Sequence, residues 1–401
     1  MKNLKIFTNN IEDEALNQIN ELLEQDAFKD AKVRIMPDVH AGKGCVIGFT
    51  GDLGDKVIPN IVGVDIGCGM LCVELGKVDI DLEKLDKVIR DNVPSGRNVH
   101  ELPIQSSNLY LNELYCKRML NNKDKWLERS LGTLGGGNHF IEVDEDDDGN
   151  KYLVIHTGSR NLGKQVAEIY QEKAIKYCSY DEEMKQEKEN IIREYKESGR
   201  EKEIQNKLIE ISKKYEGKTK LPKDLCYLEG KDREDYLHDM KICQRFAVCN
   251  RCFIANKILY NMGFGGKDRF MNFETIHNYI SFDDNIIRKG AISAGKGERV
   301  LIPINMRDGC IIGIGKGNDD WNQSAPHGAG RIMSRAKAKE TLRLKDFENS
   351  MEDIYTTSVC EDTIDESPMA YKTMYDIIKY IDDTVEIEKI IKPIYNFKAK
   401  E

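Results

Sequence analysis

The stretch SLGTLGGGNHFIEVDEDDDGNKYLVIHTGSRNLG, residues 130–163, decides how this chain is read. Two apolar runs, HFIEV and YLVIH, flank the acidic turn DEDDDGN, and this spacing predicts a β-hairpin. His139 opens the first strand and His156 closes the second, so the hairpin brings both imidazoles to one end. Asn138 and Glu142 fall in the same neighbourhood, between the flexible GTLGGG and the anion-friendly TGSR. GTLGGGN lacks the GK[ST] ending of a Walker loop and precedes a strand, not a helix. It does not read as a Walker or Rossmann site, which leaves an unusual nucleotide loop open.

Working outward, residues 9–25 carry a helical stripe of Ile11, Ala15, Ile19 and Leu22. AKVRIM reads as a strand that delivers PDVHAGKGCVIGFT, a polar turn with Asp38 and His40 where functional loops gather. A solvated Asx-type turn is the competing reading. Residues 60–75, NIVGVDIGCGMLCVEL, read as a strand interrupted by glycines, with Asp65 and Cys68 three apart. That pair is either metal-ligating or a structural turn with an inert thiol. From about 164 to 222 the chain is dense in Lys and Glu and reads as a charged helical hairpin projecting from the body. Ile191, Ile192, Leu208 and Ile211 form its contact stripe. Residues 234–262 make a long core helix with Asn250 and Arg251 as polar interruptions, ended by GFGG. His277 and Asn278 fall on a strand, a further hairpin has strands near 299–305 and 310–315, and the chain closes with helices. HGAGRIMSR, His327 to Arg335, places a histidine before glycines, with arginines on a predicted helix whose N–H groups and charges suit an anion.

The fold class expected is α+β: one large domain over residues 1–401, built on β-sheets flanked by helices, with the helical arm protruding. No apolar run approaches membrane-spanning length, and the N-terminus turns acidic too early for a signal peptide, so a cytoplasmic protein is expected. Eleven scattered cysteines then read mostly as small buried hydrophobes. A net charge of −9 argues mildly against nucleic-acid binding through the whole surface, but not through a local basic patch.

Five histidines, His40, His139, His156, His277 and His327, stand beside glycine, asparagine or strand-end signals. Asp65, Cys68, His139, His156 and His277 supply oxygen, sulfur and nitrogen, a mixed set suited to a borderline divalent ion such as Mn, Zn or Co. Five ligands exceed the three of a single open site, so two metals bridged by the Cys68 thiolate are plausible. His327 is left without a ligand role and suits a nucleophile toward phosphorus, with Asp38 as its orienting acceptor.

Taken together, MPDVHAGKG, VGVDIGCGM, LGTLGGGNHFIEV, IHTGSRNLG, HN at 277–278, RKGAISA, HGAGRIMSR and SPMAYK resemble the RtcB family of RNA-splicing ligases, in the family's order and over nearly the whole chain. The resemblance implies an enzyme that joins RNA 3′-phosphate or 2′,3′-cyclic phosphate ends to 5′-hydroxyl ends, in tRNA splicing or RNA repair, using GTP and two Mn²⁺. It implies Asp65, Cys68 and His139 as ligands of one ion, and Cys68, His156 and His277 as ligands of the other. His327 would carry guanylate, oriented by Asp38. Asn138, Phe140, Glu142, Asn278, Gly328, Ala329, Gly330 and Lys398 match GTP-contacting positions, and Arg160, Arg331 and Arg335 would face phosphates or RNA. An archease-like activator is a further implied partner, and no membrane is.

The chain departs from the family where a PGSMG segment is usual. It reads PINMRDGC, so Pro303, Asn305, Met306 and Cys310 are the corresponding nucleotide-contact candidates and Ile304 crowds the spot. The terminus ends KAKE where lysine-glycine is usual. Two alternatives accompany the ligase reading: a non-ligating RNA-binding homologue, and a dinuclear-metal cyclic phosphodiesterase.

Overall fold

The computed structural model describes residues 3–104 and 107–399, those at 107–109 by backbone alone; the last two residues of KAKE lie outside them. The architecture is mixed α+β. The predicted hairpin forms from Phe140–Glu145 and Lys151–Thr157, with Phe140 paired to His156 and Glu145 to Lys151. It sits inside an eight-stranded sheet of order Arg299–Asn305, Gly309–Gly315, Val385–Lys398, Phe140–Glu145, Lys151–Thr157, Gly69–Gly76, Met271–Ile276, with Tyr355–Thr356 pairing off Val385–Lys398. The end strands approach each other, and the Thr275 hydroxyl donates to the Leu301 carbonyl at 3.5 Å, so the sheet nearly closes on itself. Strand alternation then divides its side chains. Leu71, Val73, Ile141, Val143, Leu153 and Ile155 pack outward with Ile254 and Ile258 of the helix Gly230–Met262, and Met70, Cys72, Phe140, Tyr152 and Val154 turn the other way.

A five-stranded sheet runs Leu4–Ile6, Val33–His40, Ile47–Asp52, Ile286–Lys289, Asn278–Ile280. The strand expected to stop before Pro37 continues through it to His40, because the register shifts between Ile35 and His40 and no ladder bond from Pro37 is needed. The segment at 60–75 divides into the helical turn Pro59–Val62 and the strand Gly69–Gly76. Gly69 is required where it stands: a Cβ there would lie 2.3 Å from the Thr275 carbonyl oxygen of the neighbouring strand.

Three further departures from expectation have local causes. The chain closes on a fourteen-residue strand, Val385–Lys398, after the helix Met374–Ile381. Val385 is buried at its start and Ile391 at its middle, and its run of Ile, Val and aromatic residues favours a strand paired on both sides. The helix expected to carry both arginines after HGAG begins only at Arg335, capped by the Ser334 hydroxyl accepting from the Lys337 amide, so Arg331 lies before it. The charged arm is the pair Asp181–Glu197 and Ile204–Tyr215, whose buried contacts are Tyr195 and Ile211. Arg160–Tyr177, which precedes it, is a core helix burying Leu162, Val166 and Tyr170.

Candidate active site

The two sheets meet where Met271–Ile276 of one passes through His277 into Asn278–Ile280 of the other. All five expected ligands assemble there. Cys68 Sγ lies 3.4 Å from His139 Nε2 and 3.3 Å from His156 Nε2. His156 Nε2 is 3.3 Å from His277 Nε2, and Asp65 Oδ2 is 2.9 Å from His139 Nε2. Cys68 is therefore the centre of a continuous run of donor atoms. Cys68 and the three histidines are buried, and Asp65 is partly exposed.

The hydrogen bonds behind these rings test whether the set fits a metal. His139 Nδ1 is 2.9 Å from the Leu134 carbonyl, and His156 Nδ1 is 3.1 Å from the Asn138 carbonyl. Carbonyl oxygens only accept, so each Nδ1 carries a proton and each Nε2 faces the cluster. Burial holds His156 and His277 well below the usual imidazole value, favouring the neutral form. Burial alone would raise Asp65, but the hydrogen bond and charge of His139, with Arg160, hold it at about 2. Convergent lone pairs, a carboxylate and a thiol form a donor set that a shared cation satisfies.

The long helix supplies the support. Asn250 is fully buried: its Oδ1 accepts from the Gly132 and Thr133 amides at 2.6 and 3.1 Å, and its Nδ2 donates to the Thr133 and Gly158 carbonyls. Arg251 donates to the Gly67 and Thr157 carbonyls at 2.9 and 2.8 Å and pairs with Glu274. These two residues tie together the loops before Cys68 and His139 and the loop after His156. In the sequence they stood out only as polar breaks in an apolar helix.

His327 follows the short strand Ser324–Pro326, and Asp38 lies in Val33–His40. The His327 Nδ1–H donates to Asp38 Oδ2 at 2.6 Å, and the His327 amide donates to the same oxygen at 3.1 Å. Asp38 is wholly buried, while His327 keeps some exposure. This pairing leaves Nε2 of His327 as the free, basic nitrogen. The His327 ring centroid is 4.9 Å from that of His277, which joins the nucleophile candidate to the metal candidates. Lys372, from SPMAYK, donates to the Pro37 and Val39 carbonyls on either side of Asp38. Gly330, at φ +74°, packs where a Cβ would be 2.4 Å from the Asp38 carbonyl oxygen.

A cavity of about 250 Å³ opens beside His327, and its wall collects most of the nucleotide-contact candidates: Asn138, Phe140, Glu142, Pro303, Asn305, Met306, Gly328, Ala329, Gly330 and Lys398. Asn278 instead lines an adjoining cavity with Asp65, Cys68, Lys43 and Lys289; His277 and His327 border both. Ile304 lies in the first wall and is nearly fully buried. The Asn305 side chain is committed to its own turn, accepting from the Arg307 and Asp308 amides and donating to Asp308. Cys310 is buried behind the wall and donates its thiol hydrogen to Glu142 Oε1 at 3.3 Å. Asn396 donates to Glu142 Oε2 at 2.8 Å. Lys398 Nζ donates to Glu366 Oε2 at 2.6 Å and lies 5.4 Å from the Phe140 ring centroid.

Of the three arginines, Arg160 reaches the cluster, with Nη1 3.4 Å from His139 Nδ1; it adopts φ +59°, an uncommon conformation for a residue with a side chain. Arg331 pairs with Glu366 and the Asp365 carbonyl, and Arg335 with Asp365 and Glu366. Both are held by acidic partners from a 3₁₀ segment, Glu361–Glu366, that the sequence reading did not single out.

The fold and site thus define an α+β protein with a candidate thiol–imidazole metal cluster beside an aspartate-paired histidine. Residues 23–130 and 111–399 match the protein family described as tRNA-splicing ligase RtcB. The chain is 30% identical to the RNA-splicing ligase RtcB of Escherichia coli (strain K12), over 92% of this chain and 90% of that protein. It is 26% identical to the tRNA-splicing ligase RtcB of Archaeoglobus fulgidus, over 91% of this chain and 89% of that one. The chain belongs to the RtcB family.

Proposed function

We propose that this chain is an RNA ligase that joins RNA 3′-phosphate or 2′,3′-cyclic phosphate ends to 5′-hydroxyl ends, in tRNA splicing or RNA repair, through guanylylated His327. The observation that carries the reading is the 2.6 Å His327–Asp38 pair set against the Cys68-centred cluster in a chain of this family. Asp38 holds the proton on Nδ1, so Nε2 of His327 attacks the α-phosphorus of GTP. An N–P bond forms, the bond to the β-phosphate oxygen breaks, and pyrophosphate leaves. An oxygen of the RNA 3′-phosphate then attacks the same phosphorus and releases His327, leaving guanosine monophosphate on the RNA end. The 5′-hydroxyl oxygen attacks the RNA 3′-phosphorus, its proton leaves, and guanosine monophosphate departs.

Asp65, Cys68 and His139 would hold one Mn²⁺ and Cys68, His156 and His277 the other. When bound, these ions would neutralise phosphate charge and activate water for opening a cyclic phosphate. Asn138, Phe140, Glu142, Asn278, Lys398 and the HGAG backbone would position GTP, with Pro303, Asn305 and Met306 contributing from the PINMRDGC segment; Cys310, expected at a contact position, is buried behind the wall and would act only through Glu142. Arg160 is the arginine best placed to meet substrate phosphate; Arg331 and Arg335 act through Asp365 and Glu366 as supports of the cavity wall. Incubation with GTP labelled at the α-phosphate and with Mn²⁺ should label the protein covalently, and the label should pass to RNA bearing a 3′-phosphate. A label that persists in His327→Ala, or none in the native chain, would reject the mechanism. Cyclic-phosphate opening that is indifferent to GTP and to His327→Ala would support a phosphodiesterase instead.

A further inference from the structure

A second group of ligand-type side chains runs from Glu142 in the wall of the nucleotide cavity into the interior, and the proposed reaction uses Glu142 but not the three residues as a set. Glu142 and Asp144 alternate onto the same face of Phe140–Glu145, and Cys310 comes from Gly309–Gly315. These strands are not neighbours: Val385–Lys398 runs between them. One donor atom from each of the three residues lies within 4.8 Å of the others, and all three residues are buried. Glu142 is satisfied by Asn396 and Cys310. Asp144 is different: it is fully buried, and no group outside this trio donates to either of its oxygens. Lys398, whose charge acts on Glu142, is paired with Glu366. A carboxylate without an outside donor in a dry interior requires a proton or a cation. Burial pushes both carboxyls and the Cys310 thiol upward, which marks how poorly the interior stabilises their charge.

We propose that Glu142, Asp144 and Cys310 form a second cation site, separate from the Cys68 cluster, for one borderline divalent ion of the Zn²⁺ class. Two oxygens and one sulfur match the donor preference of such an ion, and three protein ligands leave one coordination position free. Binding forms a sulfur–metal bond and releases the Cys310 thiol proton to solvent. The ion cross-links two strands through the one between them and fixes Glu142 in the cavity wall. Its role is structural and positioning, and the site is independent of whether the chain transfers guanylate.

The test uses Co²⁺ as the probe on the full-length Cys68→Ala chain, in which the thiolate of the first cluster is absent. That protein should bind Co²⁺ with a thiolate-to-cobalt charge-transfer band in the near ultraviolet. Adding Cys310→Ser should abolish the band, and adding Asp144→Asn should weaken Co²⁺ binding at least about tenfold. Both changes are close to isosteric, and circular dichroism checks that each chain is folded. Zn²⁺ should also raise the melting temperature of Cys68→Ala but not of Cys68→Ala with Cys310→Ser. A Cys68→Ala chain with no thiolate band, a band that survives Cys310→Ser, or binding unchanged by Asp144→Asn overturns the proposal. Failure of guanylylation in the native chain leaves these outcomes unaffected.

Discussion

At the scale of single residues, the site depends on which nitrogen of each histidine carries a proton. Backbone carbonyls make that choice for His139 and His156, and a buried carboxylate makes it for His327. Asp38→Asn places an amide in which one end donates, so the His327 tautomer is no longer enforced. Its covalent labelling by GTP should slow on the order of 10³- to 10⁴-fold, as when the orienting aspartate of a catalytic triad is lost. Metal content should not change, because Asp38 touches none of the candidate ligands; a normal labelling rate would refute the orienting role. Cys68→Ala should lower Mn²⁺ binding at both positions together, measured by equilibrium dialysis. Loss at one position with full retention of the other would contradict a bridging thiolate. The histidines and Asp38 were all legible in the sequence, because strand ends and glycine-rich turns concentrate functional side chains. Asp365 and Glu366 were not, and Lys372 stood only within SPMAYK without a role, since nothing local marks what a residue does when its partner is distant in the chain.

At the scale of elements, the helix Gly230–Met262 acts as a clamp on the loops that present the ligands. Removing one buried, multiply bonded polar side chain leaves several amides and carbonyls unpaired. Asn250→Ala should therefore destabilise the chain by about 3 kcal/mol in chemical denaturation. It should also weaken Mn²⁺ binding roughly 10- to 100-fold, the usual cost of losing support behind metal ligands. Weakened stability with unchanged metal affinity would restrict Asn250 to a packing role. The charged arm makes the opposite prediction. Its base is closed by the bridge between Ser179 and Thr219, and its helices Asp181–Glu197 and Ile204–Tyr215 bury little. Replacing residues 182–214 with a short glycine linker should leave labelling by GTP unchanged; a large loss would show that the arm supports the site.

At the scale of the whole molecule, Glu366 joins the last strand to the cavity wall, because Lys398, Arg331 and Arg335 all converge on it. Burial alone would raise its carboxyl, but these three cations hold it at about 2, below the ordinary glutamate value of 4.5. A depressed folded-state pKa favours folding wherever the unfolded group is ionised. That contribution is full above the ordinary value and is lost as pH falls toward about 2. Glu366→Gln should therefore lower stability at neutral pH and flatten its acid limb in pH-dependent denaturation; an unchanged acid limb would remove Glu366 from the account. The sequence by itself determined the hairpin, the α+β class, the candidate ligand set and the candidate pairing of Asp38 with His327, because those rest on local periodicity and on motifs whose chemistry needs particular side chains. Only the tertiary structure decided that Arg331 lies ahead of the helix, that Arg331 and Arg335 are held by acidic partners, that Val385–Lys398 is a central strand, and that Asp144 is buried with no donor beyond Glu142 and Cys310. Each of these depends on contacts between segments far apart in the chain, where long-range pairing overrides local preference.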